Sequence, residues 1–485
     1  MKVLLLNPPF IKKYSRQSRS PCRTRGGTFY YPYFLAYATG VLEESGFKVK
    51  LVDAVARDWT HKQTAEFARR FDPGLVVIDT STPSIYNDVG MADEINKLLP
   101  KAHINLVGTH PTNLPAETLK LSKSIDSVCR DEYDYTVRDL AKATESGKSI
   151  ASVKGVTYRS KNRIRSTPTR PRIKNLDELP FVSRVYKKHL NVWDYFYASV
   201  MYPQVTILTA RGCPFNCSFC NSPFKASYRA RSAGDVVDEF EYIRNELPNV
   251  KEVMIEDETF PAIRERTAEL CNLMAKRKNK LKWSCNARVD TDLEMMRTMK
   301  KAGCRLMCVG FESPKKNLLN GIHKGTTKEM QIRLMSNTRK AGLLVNGCFI
   351  LGLPGDTRKT ISETVEFAKQ LNPDTAQFYP IMVYPGLESY EWAKKKSYLT
   401  TEDYSKWLTA DGLHSTTVSR PGLSSEELLS LCDQARREFY IRPKYAIKKM
   451  AQSATNPAEF QRNLKSSKTF LKYIFRGKGA RGAEK

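Results

Sequence analysis

VTILTARGCPFNCSFC, residues 205–220, runs an apolar, β-branched segment straight into three cysteines, Cys213, Cys217 and Cys220, spaced C-x3-C-x2-C. In a chain with this cysteine content such a spacing arises by chance about 0.006 times. A closed structural zinc site takes four protein ligands, and no fourth cysteine or histidine lies close by. Three thiolates suit an iron–sulfur cube with one iron left open, and an open iron can hold a chelating small molecule. A structural zinc knuckle, or a chance trio, is the alternative reading of the same residues.

Outward from the cysteines, strand and helix signals alternate. VMIED from Val253, LKWSCNARV from Leu281, RLMCVGFES from Arg305, NGCFILG from Asn346 and TAQFYPIMV from Thr375 read as strands. Residues 233–247, 263–278, 292–302, 328–341 and 358–371 between them read as helices. With VTILTA this makes six βα units, too few for a closed eight-unit barrel and enough for a partial one. Cys271, Cys285, Cys304, Cys308 and Cys348 fall inside these elements and read as core.

The first 145 residues show a second series of the same kind. KVLLLN from Lys2, KVKLVDA from Lys48, LVVIDTST from Leu75, HINLVGTH from His103 and a weak DSVCRDE from Asp126 alternate with helical stretches. That pattern predicts a doubly wound parallel sheet, whose ligands bind beyond the carboxyl ends of the strands. Those ends carry Pro8, Asp53, Thr80, Ser81, Gly108 and Thr109. Residues 151–174 hold eight Lys or Arg and no acid, with a hairpin at GVTYRSKNRIRS, and read as a linker. The fold class is therefore α/β. It has a doubly wound sheet over 1–148, a basic linker over 149–200, a partial (β/α)6 barrel over 201–420, and a basic helical region over 421–485.

Composition sets the outer bounds. Of 485 residues 41% are hydrophobic and 10% aromatic, which excludes wholesale disorder and low-complexity chains. No apolar run approaches the roughly 18 residues of a membrane span. MKVLLLNPPF is too short for a secretory signal and lacks a small-residue cleavage site, so a cytoplasmic location is expected. Eleven cysteines, eight of them between Cys213 and Cys348, then read as reduced thiols.

The stretches together resemble the radical S-adenosylmethionine (SAM) superfamily, on Cys213, Cys217 and Cys220 with aromatic Phe219 before the last. NPPF and YYPYFLAYATGVLEESGFKVKLVDA extend the resemblance to its cobalamin-dependent class, over nearly the whole chain. That class includes C-methyltransferases, the anaerobic magnesium-protoporphyrin ester cyclase and hopanoid-associated members. The resemblance implies a [4Fe-4S] cluster on the three cysteines, with SAM chelated by the open iron. An external donor of the flavodoxin or ferredoxin type would reduce the cluster, and a 5′-deoxyadenosyl radical would take hydrogen from substrate. It implies Glu256 and Asp257, beside Glu258, on the SAM ammonium, although the more usual Gly-Gly-Glu is absent. Arg288 would pair with the SAM carboxylate, Glu312 would hold the ribose, and Gly352 and Gly355 would let backbone approach the adenine.

Cobalamin is implied over the first sheet's carboxyl edge, against Pro8, Asp53, Thr80, Ser81, Gly108, Thr109 and Glu132. Two departures stand out. Asp53 is followed by AVARDW, without the Asp-x-His-x-x-Gly motif, so cobalamin would lack a protein histidine ligand. Asp131 replaces a glycine and would set a charge near the corrin. The bland alternative is a sheet that binds no cofactor and only docks the barrel.

Net charge is +28, spread over the arm (Lys12, Lys13, Arg16, Arg19, Arg23, Arg25), the linker and the tail. Nucleic acid and an anionic membrane surface compete as partners, with plain solubility a third explanation. EFYIRPKYAIKKM and FLKYIFRGK mix aromatic, aliphatic and cationic residues as interfacial helices do, and no RNA-binding motif is visible, which favours the inner face of a membrane. The expected function is methylation or cyclisation of an unactivated carbon in an apolar small molecule, lipid, isoprenoid or tetrapyrrole-like. Tyr379, Tyr384 and Glu388 fall where a substrate would lie, although packing explains them as well. An RNA-modifying radical SAM enzyme and a non-catalytic cobalamin- or redox-sensing binder are the alternatives.

Overall fold

The structure, a computed structural model, describes residues 1–161 and 163–455. The tail reading at FLKYIFRGK therefore lies outside the described residues. The first sheet contains β1 (Lys2–Asn7), β2 (Lys48–Asp53), β3 (Leu75–Thr80), β4 (His103–Gly108), β5 (Ser127–Cys129), β6 (Val156–Ser160) and β7 (Arg163–Ser166), in the order β2-β1-β3-β4-β5-β6-β7. Its first five strands are parallel. Strands buried on both faces need continuous apolar runs, and β3 is buried at every residue. Helices Tyr33–Glu44 and Asp134–Glu145 cover one face, and His61–Phe71 and Ile85–Leu98 the other. This order reverses direction between β1 and β3, the place where such sheets bind ligands.

Residues 149–200 correct the linker expectation. β6 pairs antiparallel with β5, and β7 with β6, so the hairpin extends the sheet. Val156 and Tyr158 enter the core. Arg159 donates to the carbonyls of Leu119 and Ser122, and Arg170 pairs with Asp139. Arg159 and Arg170 are thus structural, whereas Lys154, Lys161, Arg163, Arg165 and Lys174 stay exposed. Helix Val182–His189 packs on helix Tyr33–Glu44 and on β2.

The second sheet is the partial barrel. β8 (Gln204–Ile207) is followed by a two-residue ladder, β9 (Ala210–Arg211) with β10 (Arg229–Ala230), that closes the base of the cysteine loop. Then come β11 (Glu252–Ile255), β12 (Lys282–Ala287), β13 (Cys304–Glu312), β14 (Leu344–Leu351) and β15 (Thr375–Pro380). The order β8-β11-β12-β13-β14-β15 is parallel throughout. Each strand's carboxyl end opens on one mouth. Cys271, Cys285 and Cys304 are buried in the core.

Between the two sheets runs the N-terminal arm, residues 8–32. Composition alone reads its cations as spread surface charge; the structure leaves Lys12 and Lys13 exposed and threads Arg16 and Arg19 inward. Arg16 is fully buried against Asp88 at 2.5 Å and also donates to Asn7 and the Pro8 carbonyl. Tyr14 and Ser81 hydroxyls meet at 2.8 Å, and Gln17 donates to Asp79. Arg19 reaches Glu256 of the barrel at 3.5 Å. The arginines go inward because buried carboxylates on both sides supply the opposite charge that a desolvated guanidinium requires.

Candidate active site

A cavity of about 1110 Å3 opens at the barrel mouth. Cys213, Cys217 and Cys220 line it, on a loop held by the β9–β10 ladder and by the Ser218 N–H donating to the Ile322 carbonyl at 3.2 Å. Burial pushes the Cys213 and Cys220 thiols above their ordinary range, while Arg19 pulls Cys220 back down. Among the described residues no three His, Cys, Asp or Glu converge tightly enough for a single metal ion. A cubane takes each thiolate on a different iron, so its ligands stand further apart than those of one zinc. Three thiols without a fourth, facing open space, fit a cluster of that kind.

Around them stand the residues expected to touch SAM. Glu256 follows β11, lines the cavity, and keeps one buried carboxylate oxygen, Oε2, without a partner. Burial pushes its carboxyl up to about 7, partly offset by Arg19 and Asn286. Arg288, after β12, lines the cavity, with its guanidinium 3.5 Å from the Phe215 ring centroid and donating to the Lys324 carbonyl at 2.7 Å. Glu312 sits at a register shift that ends β13 and pairs with Lys324 at 2.7 Å. A Cβ at Gly310 would stand 2.4 Å from the Glu312 carboxylate, so a side chain there would displace this pair. Phe219 lines the cavity, with the Lys324 ammonium 6.0 Å from its centroid. These side chains offer a cationic group the free Oε2 of Glu256, whose other oxygen faces Arg19, and a carboxylate group a guanidinium, which fits an amino-acid sulfonium.

Three expectations are corrected. Asp257 does not line the cavity; its carboxylate accepts from the Thr209 and Ala210 N–H groups at 2.6 and 3.0 Å and from the Thr209 hydroxyl, pinning the end of β8. Gly352 and Gly355 do not line it either. Gly352 has φ +88°, and a Cβ there would lie 2.5 Å from Leu428, so it admits the helix Ser425–Tyr440 rather than an adenine. Gly355, at φ +87°, is a turn residue beside Leu318.

The strand-end residues of the first sheet are also spoken for. Asp53 accepts from Asn7, Tyr195 and the Ala56 N–H. Thr80 donates to the Val107 carbonyl, Ser81 meets Tyr14, and the Pro8 carbonyl takes Arg16. Gly108 closes β4, and Thr109 opens the short helix Thr109–Asn113. Glu132 binds Arg211 and Arg229, each at 2.8 Å, and with Asp134 clamps the two sheets together. Asp131 takes a left-handed backbone, φ 57°, the conformation that favours glycine. None of these seven expected contacts lines the large cavity, because the arm lies over the edge. Beside them, however, Gln17 Oε1, Asp79 Oδ1 and Tyr133 Oη are buried without partners. Unsatisfied polar atoms at the crossover fit an amide-rich group such as cobalamin, through residues other than those expected.

Sequence reasoning missed Arg19, Phe215, Lys324 and Asn286. Phe215 and Asn286 lay within the quoted stretches VTILTARGCPFNCSFC and LKWSCNARV, while Arg19 and Lys324 carried no site signal. Tyr379 and Tyr384 line the cavity; Glu388 begins the helix Glu388–Lys395 outside it, 3.5 Å from His323.

Residues 207–368 match the Radical SAM superfamily, and residues 23–141 match the B12 binding domain. An uncharacterized methyltransferase of Pyrococcus horikoshii is 31% identical over 92% of this chain and 94% of its own. The anaerobic magnesium-protoporphyrin IX monomethyl ester cyclase of Cereibacter sphaeroides is 28% identical over 85% of this chain and 67% of its own. The solved structure of the methyltransferase TsrM from Kitasatospora setae, with cobalamin and a [4Fe-4S] cluster bound, superposes with a TM-score of 0.69 at 19% identity, covering 91% of this chain and 89% of that one. The chain belongs to the radical SAM superfamily, in the methyltransferase and cyclase class that carries a B12-binding domain. Its cofactors are those of the class: the [4Fe-4S] cluster, SAM and cobalamin.

Proposed function

We propose that this enzyme methylates or cyclises an unactivated carbon of an apolar small molecule. The carrying observation is that one cavity contains both the cysteine trio and an aromatic wall of Phe378, Tyr379, Tyr440 and Tyr445. When bound, the cluster supplies an electron to SAM and cobalamin supplies a carrier for a methyl group. The chain's own residues do the rest. Cys213, Cys217 and Cys220 hold the cluster. Glu256 takes the SAM ammonium on its unpartnered oxygen, Arg288 fixes the carboxylate, and Glu312, oriented by Lys324, takes the ribose hydroxyls, with Phe219 beside them. Gln17, Asp79 and Tyr133 meet cobalamin at the crossover. The electron comes from a donor of the flavodoxin or ferredoxin type.

An anionic membrane surface at the inner face would deliver such a substrate. Among the described residues no helix is long and apolar enough to cross a membrane. Ile441, Ile447 and Met450 are nonetheless more than half exposed, among Arg442, Lys444, Lys448 and Lys449, and Ile441 and Met450 also line the cavity. Cations beside exposed aliphatics suit an interfacial segment.

The test is anaerobic reconstitution with iron, sulfide and cobalamin, then SAM carrying a deuterated methyl group, and dithionite. Formation of 5′-deoxyadenosine and transfer of label to an isoprenoid or lipid extract are expected. A protein that carries zinc, or that forms neither product, overturns the reading. Binding to phosphatidylglycerol vesicles but not to phosphatidylcholine vesicles is expected of the surface; equal binding to both overturns that part.

A further inference from the structure

The cavity's acids are confined to one side, while its cations line both. Its carboxylates, Glu256, Glu258 and Glu312, all stand by the ends of β11 and β13. β15 is the opposite edge strand from β8, which feeds the cysteine loop. The wall at β15 carries Phe378, Tyr379 and Tyr440 together with Arg25 and Arg436, and no acid of its own. Arg25 comes from the arm and Arg436 from the helix Ser425–Tyr440. Both guanidiniums use one oxygen, Asp433 Oδ1, at 3.1 and 2.5 Å. Arg436 also donates to the Phe378 carbonyl. One carboxylate thus serves two guanidiniums and leaves an excess positive charge, with the Arg436 side chain 13% exposed and Arg25 26%. Burial and the Arg436 charge hold the Arg25 guanidinium below its ordinary range. His414 stays neutral and adds no charge of either sign at neutral pH, since burial, and then the charges of Arg25 and Arg436, push it down to about 4. Arg23 lines the same cavity and has no ion-pair partner among the described residues.

Two half-buried guanidiniums sharing one acid, beside an aromatic wall, form a fork for an oxyanion. We propose that Arg25 and Arg436, assisted by Arg23, bind the phosphate or carboxylate of an otherwise apolar substrate. Its body lies along Phe378, Tyr379 and Tyr440 toward the cysteines. The assignment rests on reading the cavity as the substrate chamber, and it narrows the substrate to an anionic amphiphile.

Binding of three probes to the full, anaerobically reconstituted chain tests it by calorimetry: geranyl monophosphate, geraniol and inorganic phosphate. Geranyl monophosphate is expected to bind at least about tenfold more tightly than either of the others. Arg25→Gln and Arg436→Gln are each expected to weaken it about tenfold and to leave geraniol unchanged, a selectivity that a folding defect would not produce. Arg436→Lys is expected to fall between, since it keeps charge without the fork. Equal affinity for geranyl monophosphate and geraniol, or no change in either glutamine variant, overturns the site. Inorganic phosphate binding as tightly as geranyl monophosphate overturns the amphiphile. Wild-type 5′-deoxyadenosine formation is measured in parallel. Its absence alongside Arg-dependent binding removes the radical reading and spares the site; its presence without anion discrimination does the reverse.

Discussion

Arg16 Nη2 and Asp88 Oδ1 meet at 2.5 Å with both side chains wholly buried, so the arm is bolted to the first sheet by a salt bridge that water does not reach. The bridge sits at the crossover, where Arg16 also holds Asn7 and the Pro8 carbonyl. Removing one partner of such a pair strands a charge, whereas removing both does not. Arg16→Met should cost about 3–5 kcal/mol. Arg16→Met with Asp88→Leu should recover most of that loss in urea denaturation. A double variant as unstable as the single one would show that packing, not charge, holds the arm.

The thiols make a sharper division. Alanine at Cys213, Cys217 or Cys220 should abolish the iron–sulfide chromophore and 5′-deoxyadenosine formation. Alanine at Cys271 or Cys285, which pack in the core, should keep the chromophore and cost about 1–3 kcal/mol of stability. A chromophore that survives loss of all three loop cysteines would end the cluster assignment.

Two buried carboxyls set a pH dependence. Burial pushes Glu256 and Asp79 each up to about 7. In the unfolded chain they ionise near pH 4. Between about pH 4 and 7 the folded chain keeps protons that the unfolded chain has released, so stability falls as pH rises through that window and levels off above it. The Tm of the cofactor-free protein should fall more steeply from pH 5 to 7 than that of Glu256→Gln or Asp79→Asn. Parallel curves would contradict the assignment.

Gly352→Ala separates a packing glycine from a cofactor glycine. With a Cβ 2.5 Å from Leu428 and φ +88°, the substitution should destabilise the chain by about 1–3 kcal/mol. SAM affinity should stay unchanged in equilibrium dialysis. Loss of affinity at full stability would restore the adenine role.

Asp131→Gly should stabilise. At φ 57° an L-residue carries a cost of roughly 1 kcal/mol that glycine does not. A lowered urea midpoint would mean that the Asp131 side chain makes a contact worth more than the backbone strain.

The local code was strong enough for the elements and for the three-cysteine loop. Apolar runs such as LVVIDT and a C-x3-C-x2-C trio after a strand depend only on neighbours in the chain, as do the helices at 328–341 and 358–371. That Glu256, Arg288 and Glu312 come to one cavity was legible too, because βα repetition sends strand ends to one mouth whatever the loops do. Long-range pairing was not legible. Whether Asp257 faces a cavity or caps the Thr209 backbone depends on one residue of offset at the end of β11. Whether Glu132 meets a cofactor or Arg211 depends on how two sheets dock.

The sequence by itself determined two wound sheets and a three-thiol loop, because hydrophobic period and cysteine spacing are properties of contiguous residues. Only the tertiary structure decided where the arm's charge goes. Arg16, Arg19 and Arg25 look alike along the chain, yet one is sealed against Asp88, one faces Glu256 and one shares Asp433 with Arg436. The energy of a guanidinium is set by the carboxylates and the water that surround it in space, and nothing local in the chain encodes those.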